Sequence, residues 1–171
     1  MEYVHVACAC LVGLVFAVSA AAKARDLDGF AVSLPGLLPS RPGTVPARPL
    51  AVLVIVLEAL VPAAVAAPWT RMAGLVLACA LLAAFTLAIG RGLAAGRPRV
   101  SCRCFGSGGA PLGRRHLVRN GLLLAAAASG LALPGTPPTA AGAVIAAAAG
   151  AVAAILIVSF DDIADLLVGS P

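Results

Sequence analysis

An all-α polytopic membrane bundle of four to five spans is the fold class this sequence predicts, on three observations. Hydrophobic residues make up 61% of the 171 and charged residues only 11%, whereas a soluble domain carries about 25% charged residues. The apolar residues are gathered into five runs, and a hydrocarbon core of about 30 Å takes about 20 residues of helix. The basic residues fall in the connections or at the ends of the runs. No water in a bilayer satisfies the backbone, so segments of this kind are helices that pair their own N–H and C=O groups. Residues 1–171 are read as one integral-membrane domain with the lipid bilayer as its first partner. The net charge of +5 reports orientation and gives no reason to expect a nucleic-acid partner.

The runs cover residues 4–22, 49–67, 72–93, 116–133 and 140–160. The first resembles a signal peptide in its small residues Ser19-Ala20-Ala21-Ala22, but Met1-Glu2-Tyr3-Val4-His5 brings no positive n-region, so it is expected to stay as a membrane helix. The fourth is marginal: it carries Arg119 and Asn120 in its first turn, is strictly apolar only from Gly121 to Leu133, and spans only if Arg119 snorkels to the interface. High alanine and glycine content suits helices that pack through small residues.

Basic residues mark the cytoplasmic side of short loops. Lys23, Arg25, Arg41 and Arg48 fall in the first connection, and Arg91, Arg97, Arg99, Arg103, Arg114, Arg115 and Arg119 lie in or beside the third; Arg71 alone is on the other side. The expectation is a multi-pass protein of the cell membrane with the N-terminus outside and both long loops and the C-terminus in the cytoplasm. With four spans the C-terminus would change sides. The first connection holds Leu34-Pro35-Gly36 and Leu37-Leu38-Pro39; its proline density predicts an irregular interfacial segment rather than a helix. Pro134-Gly135-Thr136-Pro137-Pro138 predicts the turn of a helical hairpin.

The sharpest chemical feature is Cys102-Arg103-Cys104-Phe105-Gly106 in a loop rich in arginine. Nearby positive charge raises the thiolate fraction available for exchange. Cysteines one residue apart form a small, strained disulfide, which is an exchangeable one. The alternative is a pair of inert thiols, or partial ligands for an adventitious metal; no cysteine spacing matches a four-ligand zinc site. Cys8 and Cys10 lie near the external end of the first span, about 200° apart on the helix, so they do not readily bridge. Cys79 reads as a packing residue, and a thiol relay from the outer cysteines to the loop pair has no fixed geometry behind it. Glu58 is the one acidic residue well inside a span. Arg119 or Lys23 could reach it, as an ion pair that locks helices or as part of a proton-transfer or quinone site. The sequence identifies no cofactor; a quinone is compatible with such a carboxylate. His5 reads as interfacial, and Asp161, Asp162 and Asp165 as a solvated end to the last helix.

Together Ser19-Ala20 and Lys23, Glu58, Phe85, Arg91-Gly92, Cys102-x-Cys104-Phe105-Gly106 and Arg119-Asn120 resemble the MauE family of methylamine-utilisation membrane proteins, related to the DoxX-like redox-associated membrane proteins. The resemblance runs from about Phe16 to Leu133, and Cys-x-Cys-Phe-Gly followed by Arg-Asn is its most specific element. It implies a helical-bundle accessory for maturation, disulfide formation or transport of an exported partner such as the methylamine dehydrogenase small subunit, or of a thioredoxin-like redox partner. By carry-over Cys102 and Cys104 are the redox pair, and Glu58 with Arg119 the polar pair of the bundle. Arg103 departs from the small residue expected between the cysteines. A cytoplasmic pair cannot directly oxidise an exported substrate, because cytosolic thiols are kept reduced, so an electron conduit follows from the topology. Two readings from other classes stand beside this one: a small-solute or ion transporter coupled through Glu58, and a non-catalytic membrane anchor.

Overall fold

The computed structural model describes residues 2–37, 46–94, 114–133 and 139–160. Within them the chain forms six helices: α1 (Glu2–Arg25), α2 (Leu27–Leu37), α3 (Ala47–Ala66), α4 (Arg71–Ala94), α5 (Arg114–Ala132) and α6 (Ala140–Val158). Four of them, α1, α3, α4 and α6, are long and apolar enough to cross a membrane. The five runs read from the sequence correspond to α1, α3, α4, α5 and α6, with ends moved by up to three residues. Lipid-facing side chains such as Val144, Ile145, Val152, Ile155 and Leu156 of α6 are more than half exposed, as expected where the solvent is itself apolar.

α1 is the hub, packed on α6, α3 and α5. Its buried Ala9, Val12, Phe16, Ser19 and Lys23 recur every three or four residues, so they line up as one seam along the helix. α3 runs antiparallel to α1: Gly13 lies beside Pro62 and Val65, while Ser19 lies beside Glu58. α5 is also antiparallel to α1. Its Gly130 carbonyl accepts a 2.6 Å hydrogen bond at His5 Nδ1, and its Arg119 and Asn120 reach the level of Ser19 and Lys23. α5 therefore covers the height of α1 from one end to the other, and its buried His116, Arg119, Asn120, Leu123 and Ala127 keep one face inward throughout. α6 runs parallel to α1, with Gly142 against the Tyr3 ring and Gly150 against the Ala7 carbonyl. Ala146, Gly150 and Ala154 form its buried stripe, the small-residue contact that lets two backbones approach in lipid.

One expectation about secondary structure fails. The segment read as irregular because of its prolines contains α2, with Pro35 inside it. The helix starts at Asp26, whose carboxylate accepts the Gly29 N–H at 3.1 Å and caps the first turn. Pro35 lies in the last turn, where it removes a single N–H from the ladder. Phe30, Ala31 and Leu34 bury themselves against Ala51 of α3 in a second small core, and that burial outweighs the one lost bond. The turn predicted at 134–138, the residues after Leu37 in the first connection, and Asp161, Asp162 and Asp165 lie outside the described residues.

The other helix ends follow local chemistry. Beyond α3 the chain turns through Ala67-Pro68-Trp69-Thr70, and the last α3 carbonyls are taken up from across the turn. Thr70 Oγ1 donates to Ala64 O at 2.7 Å and Arg71 Nε to Val65 O at 3.2 Å. Thr139 caps α6 by accepting the Gly142 N–H at 3.4 Å.

Candidate functional site: a buried lysine and glutamate at the loop end of the bundle

Ser19 and Lys23 are one turn apart on the inward face of α1, and Glu58 sits on the facing side of α3. Lys23 Nζ donates to Glu58 Oε1 at 2.5 Å and to Ser19 Oγ at 2.6 Å. Ser19 Oγ in turn lies 3.2 Å from Glu58 Oε2 and 3.4 Å from Oε1. Lys23 is 2% exposed and Glu58 1%, so both charges have left water and lipid headgroups behind. Two aromatic faces complete the lysine's surroundings: the rings of Phe30 on α2 and Phe85 on α4 lie 5.4 and 5.3 Å from Nζ. Such cation–π contacts contribute about 2 kcal/mol when desolvated.

α5 supplies the remaining wall. Arg119 and Asn120 line a cavity of about 30 Å³ together with Ser19, Lys23, Glu58 and Phe85. A water needs about 10–15 Å³ of such space and two to four polar partners, so this cavity has the size and lining for one or two waters. It is too small for a quinone ring unless the bundle opens. Every helix except α6 thus places a side chain in this cluster. Pro62, four residues beyond Glu58, has no N–H for the Glu58 carbonyl, which loosens the α3 ladder at this level.

Chemically the arrangement is a closed ion pair with a shared hydroxyl. It holds α1 to α3 through two buried charges that neutralise one another, and the adjoining cavity gives water access to the carboxylate and the ammonium. Breaking such a pair from one side leaves an uncompensated charge and costs about 3–5 kcal/mol.

Of the two cations named for Glu58, Lys23 makes the salt bridge. Arg119 does not snorkel outward as expected; it is 3% exposed and turned to the cavity inside the bundle. At this height α5 faces the polar lining of the cavity, Ser19, Lys23 and Glu58, which gives the guanidinium a polar surrounding inside the bundle. Phe30 was missed, because the segment bearing it was read as irregular; its signal was a lone aromatic seven residues beyond a buried lysine, too weak to act on. Cys8, Cys10 and Cys79 are free thiols. Cys8 and Cys10 lie 13 to 15 residues from Lys23 along α1, about 20 Å by helical rise, at the opposite end of the bundle. Cys79 packs against the main core.

Cys102 and Cys104 lie outside the described residues. The helices that lead into and out of their loop are described. α4 delivers Phe85 and Ile89 to the cavity and ends at Ala94, and α5 begins at Arg114 and returns Arg119 and Asn120 to the same cavity. Both ends of the loop therefore leave from the end of the bundle that holds the lysine and glutamate.

No curated protein sequence and no solved structure matches the chain. Residues 1–133 match the family described as methylamine utilisation protein MauE; the match takes in α1 to α5, the whole polar cluster and the Cys102–Cys104 loop, and stops before α6. With this coverage, and with helices of membrane-spanning length and composition, the chain belongs to the MauE family and is a methylamine-utilisation-associated membrane protein.

Proposed function

We propose that this protein is a membrane accessory of thiol redox maturation, in which Cys102 and Cys104 exchange a disulfide at the end of the bundle fastened by Ser19, Lys23 and Glu58. The observation that supports this most is that α4 and α5, the helices flanking the cysteine loop, bring Phe85, Arg119 and Asn120 to the buried cluster. The five arginines at 97, 99, 103, 114 and 115 favour the thiolate that starts exchange. In the exchange itself, a thiolate of a thioredoxin-like partner attacks the Cys102–Cys104 disulfide. The partner's second cysteine then resolves the mixed disulfide, so that the partner leaves oxidised and the pair is reduced; two electrons and two protons pass from the partner to the pair, and attack of the reduced pair on a second protein disulfide re-oxidises it. The client served is an exported protein such as the methylamine dehydrogenase small subunit.

The distribution of basic residues supports a cytoplasmic position for the loop and an external N-terminus. On that topology the pair is an electron conduit rather than a direct oxidase of an exported client. The cluster's role is structural. Both Glu58 oxygens lie within hydrogen-bonding distance of Lys23 or Ser19, and the cavity beside it admits water only, which argues against a solute coupled through this carboxylate.

Client maturation measured in cells carrying Cys102→Ser/Cys104→Ser or Glu58→Gln separates the readings. The redox reading expects the double cysteine variant to lose client disulfides while remaining folded in the membrane. Full maturation with both cysteines replaced, and its loss with a folded Glu58→Gln protein, would move the function to the carboxylate.

A further inference from the structure

At the opposite end of the bundle from the polar cluster, a groove of about 290 Å³ opens between α1 and the last turns of α3. We infer that this groove seats one acyl chain of an anionic phospholipid, with the lipid phosphate on Arg71. Its α1 wall is the stripe Val6, Cys10, Gly13 and Ala17, facing Pro62 on α3, with Arg71 at one end. From Val6 to Ala17 the stripe runs about 17 Å by helical rise, which matches one leaflet of a hydrocarbon core about 30 Å thick. Gly13 lies where α1 meets α3 at the floor; a Cβ there would lie 3.8 Å from Pro62 Cα and Val65 Cγ1, at ordinary contact distance.

The mouth of the groove lies at headgroup height. Trp69, 86% exposed in the α3–α4 turn, and Tyr3, 46% exposed at the start of α1, are aromatic residues of the kind that settle at the membrane–water interface. Arg71, two residues after Trp69, is fixed in direction by its Nε bond to Val65 O. That bond leaves the two terminal guanidinium nitrogens for a bidentate contact with phosphate. Among the described residues no acidic side chain lines the groove, and Arg71 is the one charged residue of its lining. Arg71 is also the one basic residue that the sequence assigns to this side, where an orientation signal does not call for one.

Native mass spectrometry of the detergent-purified full chain, with equal amounts of phosphatidylglycerol and phosphatidylcholine of identical acyl chains, tests the headgroup. One phosphatidylglycerol is expected to be retained with about fivefold preference, the equivalent of the roughly 1 kcal/mol that one basic residue gains at an anionic surface. Arg71→Gln should abolish the preference. Photo-crosslinking of the unmodified protein with phosphatidylglycerol carrying a diazirine in its acyl chain tests the groove without any substitution. Adducts should concentrate on α1 between Val6 and Ala17 and on α3 near Pro62. Equal retention of the two lipids, or adducts as frequent on the lipid-facing side of α6 as in the groove, would overturn the inference.

Discussion

Removing either half of the buried pair has a cost that follows from what each partner keeps. In Lys23→Met, Glu58 retains only the Ser19 hydroxyl among its bonded partners, and a buried carboxylate left without its counter-ion costs about 3–5 kcal/mol. In Glu58→Gln, the ammonium keeps Ser19 Oγ at 2.6 Å and both ring faces at 5.3 and 5.4 Å; each face offsets up to about 2 kcal/mol. Glu58→Gln is therefore expected to be the milder change. Combining Lys23→Met with Glu58→Gln removes both charges together. The double variant should cost less than the two singles added, with an interaction energy near the upper end of the roughly 0.5–3 kcal/mol seen for contacting residues. Reversible unfolding of the purified protein in mixed micelles with increasing SDS fraction, followed by circular dichroism, measures all four corners of the cycle. Additivity within about 0.5 kcal/mol, the margin for independent sites, would refute the claim that the two charges stabilise one another.

The close packing of helices yields further predictions. A Cβ at Gly74 would stand 2.8 Å from Val65 Cγ2 and 3.0 Å from the Val65 backbone nitrogen, so Gly74→Ala should cost about 1–3 kcal/mol by overpacking. At Gly92 nothing lies within 4 Å of an added Cβ, and Gly92→Ala should be neutral or stabilising by up to about 1 kcal/mol; the same SDS titration reads both. Gly150→Leu drives a side chain into the Ala7 carbonyl and Cys10, and should part α6 from α1 while leaving α1 to α5 folded, which limited proteolysis between α5 and α6 would report. Phe85→Leu takes one ring from Lys23 and should cost about 0.5–2 kcal/mol, whereas Phe85→Tyr, which keeps the ring face, should cost less in the same assay.

The all-helical membrane class, the ends of the long helices and the isolated carboxylate were all legible in the sequence, because each depends on composition within one segment. Glu58 stands out in an apolar run whatever lies beside it. Its partner was harder to read, since Lys23 sits at the end of its run and serves equally well as an orientation signal. Only the antiparallel register of α1 and α3 brings its ammonium to the carboxylate. Arg119 illustrates the same limit: a basic residue near a helix end is expected to reach for the surface, and a polar interior at the same height reverses that choice. α2 was lost to a rule about proline that weighs the broken hydrogen bond and cannot weigh the burial of Phe30 and Leu34 against α3. With α2 went Phe30, and with it one wall of the lysine site.

The most direct test is maleimide gel-shift labelling of cells expressing a variant in which Cys8, Cys10 and Cys79 are alanine, so that Cys102 and Cys104 are the remaining thiols of five. If the pair cycles through a disulfide, part of the population labels only after reduction, and an impermeant maleimide reaches it only once the membrane is opened. Complete labelling of both thiols without reductant in every growth condition would contradict the redox account.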